Sequence, residues 1–228
     1  MDLLPTQTYQ PPLFEFGETT SGAVELFPAV WGAAEALAAP ETHLRHQGLD
    51  RLMEIGAPRL SPLIAYLLAT RLTDPDLKMR TRIVYVLGEL LMPDVRGSAA
   101  PEPVRHYLAA VLSQMRIRSI FGLLEVAVHD PKAERAIARL LNTCPNAGRH
   151  LADILAERKN PLPVRCKATH FIGLVGYLDA LPTLERLHQR LEARLAGQQA
   201  MPFASPVTPE DSELLPVLRQ TVVSLKAP

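Results

Sequence analysis

The stretch Asn160-Pro161-Leu162-Pro163-Val164-Arg165-Cys166-Lys167-Ala168-Thr169-His170-Phe171-Ile172-Gly173-Leu174-Val175-Gly176-Tyr177-Leu178-Asp179-Ala180-Leu181-Pro182-Thr183-Leu184 decides the fold. Asn160-Pro161 reads as a helix start, a polar capping side chain followed by a proline whose missing N–H costs nothing in a first turn. Val164, Ala168, Phe171 and Ile172 then recur at helical spacing, which predicts a helix over 162–175. Gly173 and Gly176 permit a close contact and a sharp turn. A second helix, over 180–196, carries Leu181, Leu184, Leu187, Leu191 and Leu195. Two short helices cannot bury such a leucine row alone, so neighbouring pairs have to cover it.

The same frame recurs upstream. Leu44-Arg45 is followed by Gly48, Leu52, Ile55 and Gly56, and then by Pro58, Leu60 and Leu63. Met79-Arg80 leads into Ile83, Val86-Leu87-Gly88 and Leu90, and Ile117-Arg118 leads into Phe121 and Leu124 as a poorer copy. The copies start at 44, 79, 117 and 164, at intervals of 35, 38 and 47 residues. Internal repeats of that length mark helical solenoids.

Over residues 42–196 the pattern resembles the HEAT repeat. The resemblance implies an all-α fold, a right-handed α-solenoid of stacked antiparallel helix pairs with about 10–11 helices, in which the second helices form a concave wall. It also implies a structural ladder of Arg45, Arg80, Arg118 and Arg165, each pairing with acids or carbonyls of the adjoining repeat. The 47-residue interval holds one extra helix. Either 116–128 opens the third repeat, or it is inserted before a pair at 131–143 and 147–158.

Composition points the same way. Leu and Ala supply 37 and 28 of the 228 residues, which favours helix. Aromatic residues make up only 5% and there are two cysteines, which counts against a β-sandwich and a disulfide scaffold. Helices are expected at 24–38, 42–55, 58–72, 76–92, 102–113, 116–128, 131–143, 147–158, 162–175, 180–196 and 210–225. Asp74-Pro75 and Asp130-Pro131 mark further starts. Residues 1–20 place Tyr9, Phe14 and Phe16 among Pro5, Pro11 and Pro12 without any period, and read as an extended N-terminal arm. Repeats are expected over 21–196, a proline-rich loop over 197–209 and a capping helix over 210–228. No export signal is legible, and no apolar run reaches the ~20 residues that span a bilayer. A soluble, cytoplasmic protein without membrane contact is therefore expected.

The sequence contains no phosphate-binding loop, dinucleotide fingerprint, nucleophile elbow or H-E-x-x-H. Cys144 and Cys166 are too far apart for a C-x-x-C pair and read as small buried thiols. His43 and His46 share a helix face near Glu41 and Asp50, as a metal site would need, but a solvated first turn explains them more simply. Asp153 and His188 are a pair that stacked repeats could bring together without a local motif. No catalytic residue, metal or cofactor is assigned, and a non-enzymatic protein is expected.

Bases and acids balance at 24 each, which argues against a dedicated polyanion binder. Along the chain the balance is uneven: residues 1–54 hold eight acids and two bases, and residues 103–170 hold eleven bases and five acids. Arg135, Arg139, Arg149, Arg158 and Lys159 could line one face, suited to an acidic protein or a nucleic-acid backbone. Solvated helix faces balanced by Glu134, Asp153 and Glu157 are the alternative. The leading expectation is a scaffold or adaptor that binds a protein partner, as a monomer or with weak head-to-tail self-association. A second is a nucleic-acid binder using the basic middle surface, which the zero net charge and the single Trp31 oppose. A third is a small-molecule enzyme of the lyase type, such as the tetrapyrrole-attaching lyases that some HEAT-like folds resemble.

Overall fold

Backbone chemistry sets the limits of the helices. The computed structural model describes residues 27–93, 99–200 and 209–227, and among them there are twelve α-helices and no strand. They are α1 (Pro28–Leu37), α2 (Thr42–Ile55), α3 (Ala57–Leu60), α4 (Pro62–Thr70), α5 (Leu77–Leu90) and α6 (Glu102–Leu112). They continue as α7 (Ile117–His129), α8 (Glu134–Asn142), α9 (Ala147–Ala156), α10 (Leu162–Val175), α11 (Leu181–Ala200) and α12 (Pro209–Lys226). The chain is thus all-helical where it is described. None of these helices is long and apolar enough to cross a membrane.

Three local expectations need correction. The single helix at 58–72 is split, because Pro62 forces Ser61 into an extended conformation (φ −128°, ψ 118°) and the Ser61 hydroxyl then accepts the Ile64 N–H. Asp74 and Asn160 do not cap the helices after their prolines. Asp76 caps α5 by accepting the Met79 N–H, and the Asn160 amide instead donates to the Ile154 carbonyl at 2.8 Å. Residues 197–200 of the expected loop are helical, since α11 passes through the exposed Gly197 to Ala200, and 201–208 lie outside the described residues. The arm at 1–20 lies outside the described residues.

Packing follows the small residues. A Cβ on Gly48 would lie 2.5 Å from the Leu37 nitrogen and 2.6 Å from the Ala33 carbonyl, so α1 and α2 meet backbone to backbone. Gly88 plays the same part between α5 and α8, where a Cβ would lie 2.6 Å from that of Ala136. At Gly56 and Gly176 the backbone turns left-handed (φ 73° and 85°) to end α2 and α10, as glycine allows without strain. One contiguous core runs through the molecule, from Leu49 and Leu52 past Ile83, Leu124 and Leu155 to Phe171, Leu184 and Leu218.

Side-chain contacts give the helix directions. Arg45, His46 and Asp50 of α2 meet Asp74, Asp76 and Arg82 in that order, so α2 and α5 run parallel. Arg80 meets Glu125 and Tyr85 meets Asp130, which makes α5 and α7 parallel too. Helix α7 packs against α5, α9 and α10, and α10 packs against α12. Helix α4 packs on α6, and α9 on α11. Helix α8 lies on α5 and also touches α7 and α10. Helix α7 thus lies between α5 and α10, with α8 against all three.

Candidate functional site

Each of Arg45, Arg80 and Arg165 is the fourth residue of its helix, and each reaches out of it. Arg45 is buried. Its Nη1 donates to the Pro40 carbonyl at 2.6 Å, its Nη2 donates to Asp74 Oδ1 at 3.1 Å, and its Nε lies 2.9 Å from Asp74 Oδ2, off the hydrogen-bonding line. Arg80 donates to Glu125 of α7 at 2.7 Å. Arg165, also buried, donates from Nε to the Leu155 carbonyl in the last turn of α9 at 2.9 Å. Arg118 is the exception. It is the second residue of α7, Ile120 fills the fourth position, and Arg118 is exposed with no hydrogen bond or ion pair among the described residues.

A polar seam extends the Arg45–Asp74 pair along α2 and α5. Asp74 Oδ1 also accepts the Asp76 N–H at 2.9 Å. Asp76 Oδ2 lies 2.8 Å from His46 Nε2, His46 Nδ1 lies 3.0 Å from Arg82 Nη1, and Arg82 continues to Asp50. A guanidinium only donates, so His46 Nδ1 accepts and the ring proton sits on Nε2, facing Asp76. Burial raises the Asp76 pKa, but the hydrogen bonds from His46 and from the Met79 N–H outweigh it and hold the carboxyl below its ordinary value. The row has the outline of an acid–base relay. Both ring nitrogens are already engaged, however, which leaves His46 no lone pair for a metal and no site for a proton in transit. His43 is exposed, and among the described residues no group of three or more His, Cys, Asp and Glu could hold a metal ion.

His188 lies 3.4 Å from Glu192 on its own helix while Asp153 is exposed, so these two do not form the suggested pair. Burial pushes the Cys166 thiol up, away from the reactive thiolate, with Arg165 opposing that shift and Glu213 reinforcing it. Burial also raises Tyr177, whose hydroxyl donates to the Leu141 carbonyl at 2.7 Å. His170 Nε2 lies 2.9 Å from Glu134, beside a cleft of about 370 Å³ lined by Leu174, Gln220, Thr221 and Ser224.

The five residues expected on a basic face divide. Arg135, Arg149 and Lys159 are exposed. Arg139 donates inward to the Gly88 carbonyl at 3.3 Å, and Arg158 lies 3.7 Å from the buried Asp211, which Arg194 holds at 2.6 Å. Arg139 thus ties α8 to α5, while Arg158 stays largely exposed.

Two surface features were not read from the sequence. Tyr66 of α4 and Tyr107 of α6 are exposed and meet edge to face, with ring centroids 6.4 Å apart. The signal was present, because the nine residues of α4 include no charged side chain to solvate that helix. Beside this pair, the ends of α4 and α6 and the start of α7 enclose a cleft of about 310 Å³, with Leu72, Leu112 and Met115 inside and Arg116 and Arg118 on it. No protein-family model, curated protein or solved structure matches the chain. Function has to be argued from these surfaces.

Proposed function

We propose that the chain is a HEAT-like right-handed solenoid and a non-enzymatic scaffold, which holds a segment of a partner protein against the face made by α4 and α6. The exposed Tyr66–Tyr107 pair carries this reading. Aromatic side chains that keep a polar edge in water and a ring free for contact are the usual anchors of protein interfaces. The succession of parallel helices α2, α5 and α7, with α3 and α4 between the first two and α6 between the last two, supports the repeat architecture. Such stacking supplies a long surface without a catalytic centre. Because Arg139 is turned inward, the nucleic-acid reading rests on Arg135, Arg149, Lys159 and the exposed Arg158, which stands 3.7 Å from Asp211.

Site-specific photo-cross-linking tests this. A benzophenone side chain in place of Tyr107, and separately of Lys132 and Arg149, is irradiated in the native extract. Protein adducts concentrated at position 107 support the scaffold. Nucleic-acid adducts at position 149 would favour the basic surface, and equal labelling at all three positions would discard the proposed face.

A further inference from the structure

We infer that the cleft between α4, α6 and the start of α7 is the seat of the chain's own N-terminal segment Leu13-Phe14-Glu15-Phe16-Gly17-Glu18. The cleft offers two chemistries at once. Leu72, Leu112 and Met115 give it an apolar lining, and Arg116 and Arg118 place two guanidinium groups on it. Neither arginine has a hydrogen-bonded or ionic partner among the described residues. Helix α7 has no acidic residue in its first turn and no side chain capping it, so both cations stand at the positive end of the helix dipole. The occupant that fits best is therefore apolar and acidic together.

The N-terminal segment has that composition. Asp2, Glu15, Glu18 and Glu25 are the only charged residues before position 27, and no lysine or arginine occurs before Arg45. In an extended peptide, alternate residues fall on one side, which groups Phe14, Phe16 and Glu18. Two phenyl rings can fill the apolar lining while a carboxylate meets the arginines.

The reach is sufficient. Arg45 binds both the Pro40 carbonyl and Asp74, so the turn between α1 and α2 lies beside Asp74, next in sequence to Thr73 on the cleft. From that turn, the ten residues of α1 lead back about 15 Å to Phe27. The eleven residues from Phe27 to Phe16 span up to about 36 Å when extended, more than twice the length to be retraced. This docking does not depend on which partner the α4–α6 face takes.

Hydrogen exchange on the full-length chain tests the inference. It is compared with three variants: Arg116→Glu with Arg118→Glu, Glu15→Arg with Glu18→Arg, and all four substitutions together. Amides of 12–20 and 111–119 are expected to be protected in the native chain, to lose protection in either one-sided reversal, and to regain it in the fourfold variant. Unchanged exchange across α10 checks that each variant is folded. Fast exchange of 12–20 in the native chain, or protection that survives the one-sided reversals, would overturn the inference. So would protection that appears only as protein concentration rises, since the occupant would then be the segment of a second copy.

Discussion

A buried guanidinium depends on its carboxylate far more than an exposed one does. Arg45 and Asp74 are both buried, whereas Arg82 and Asp50 meet near the surface. Asp74→Ala is expected to cost about 3–5 kcal/mol, because it strands a buried charge. Asp50→Asn is expected to cost less than about 1 kcal/mol, and urea unfolding of the two variants separates the cases. Asp76 makes a pH-dependent contribution. Its folded pKa lies below the ordinary value, so the stability it adds is present above the unfolded pKa and lost as pH falls through the folded one. The stability difference between the native chain and Asp76→Asn, read from urea midpoints, should therefore shrink as pH drops below about 4. Equal differences at pH 7 and in acid would contradict this. Among these residues, the sequence frame numbers Arg45, Arg80 and Arg165 alike, and each is the fourth residue of its helix. Arg118 was misplaced, since a frame anchored on an Ile-Arg pair cannot register that α7 starts two residues later. Asp74 was misread as a cap because an Asp-Pro pair looks the same in sequence whether the carboxylate turns to its own helix or to a distant arginine.

At the scale of an element, glycines show which helices must touch. Gly48→Ala and Gly88→Ala each push a methyl into a neighbouring helix, and about 1–3 kcal/mol of destabilisation is expected from each. Gly197, exposed near the end of α11, meets nothing within 4 Å. Its replacement by alanine should be neutral or stabilise by up to about 1 kcal/mol through helix propensity. Thermal melts of the three variants give the comparison, and a destabilising Gly197→Ala or a neutral Gly48→Ala would contradict the packing described. Helix positions were largely legible, because apolar spacing and proline placement act within a few residues of each other. The split at Ser61-Pro62 was not resolved, since the apolar run on both sides keeps helical spacing across the break. The packing of α8 on α5 was not legible, because it depends on tertiary contacts between helices some fifty residues apart.

For the molecule as a whole, the sequence carried the balance of charge but not the geometry of its surfaces. The sequence leaves a basic face and solvated helix faces both open for these residues; the Gly88 carbonyl, which no sequence pattern records, turns Arg139 inward, while Arg158 stays exposed 3.7 Å from Asp211. The aromatic pair on α4 and α6 depends on two helices some forty residues apart lying side by side. A scaffold needs length, and length depends on parallel helices advancing one after another from α5 to α12. Spin labels at Glu89, His129, Leu174 and Val223, all exposed and near the C-terminal ends of α5, α7, α10 and α12, measure this directly when Cys144 and Cys166 are replaced by alanine. Distances from position 89 to 129, 174 and 223 should rise in steps of about 8–10 Å, one helix spacing each. A separation between 89 and 223 no greater than that between 89 and 129 would mean a closed bundle, without the extended surface a partner would occupy.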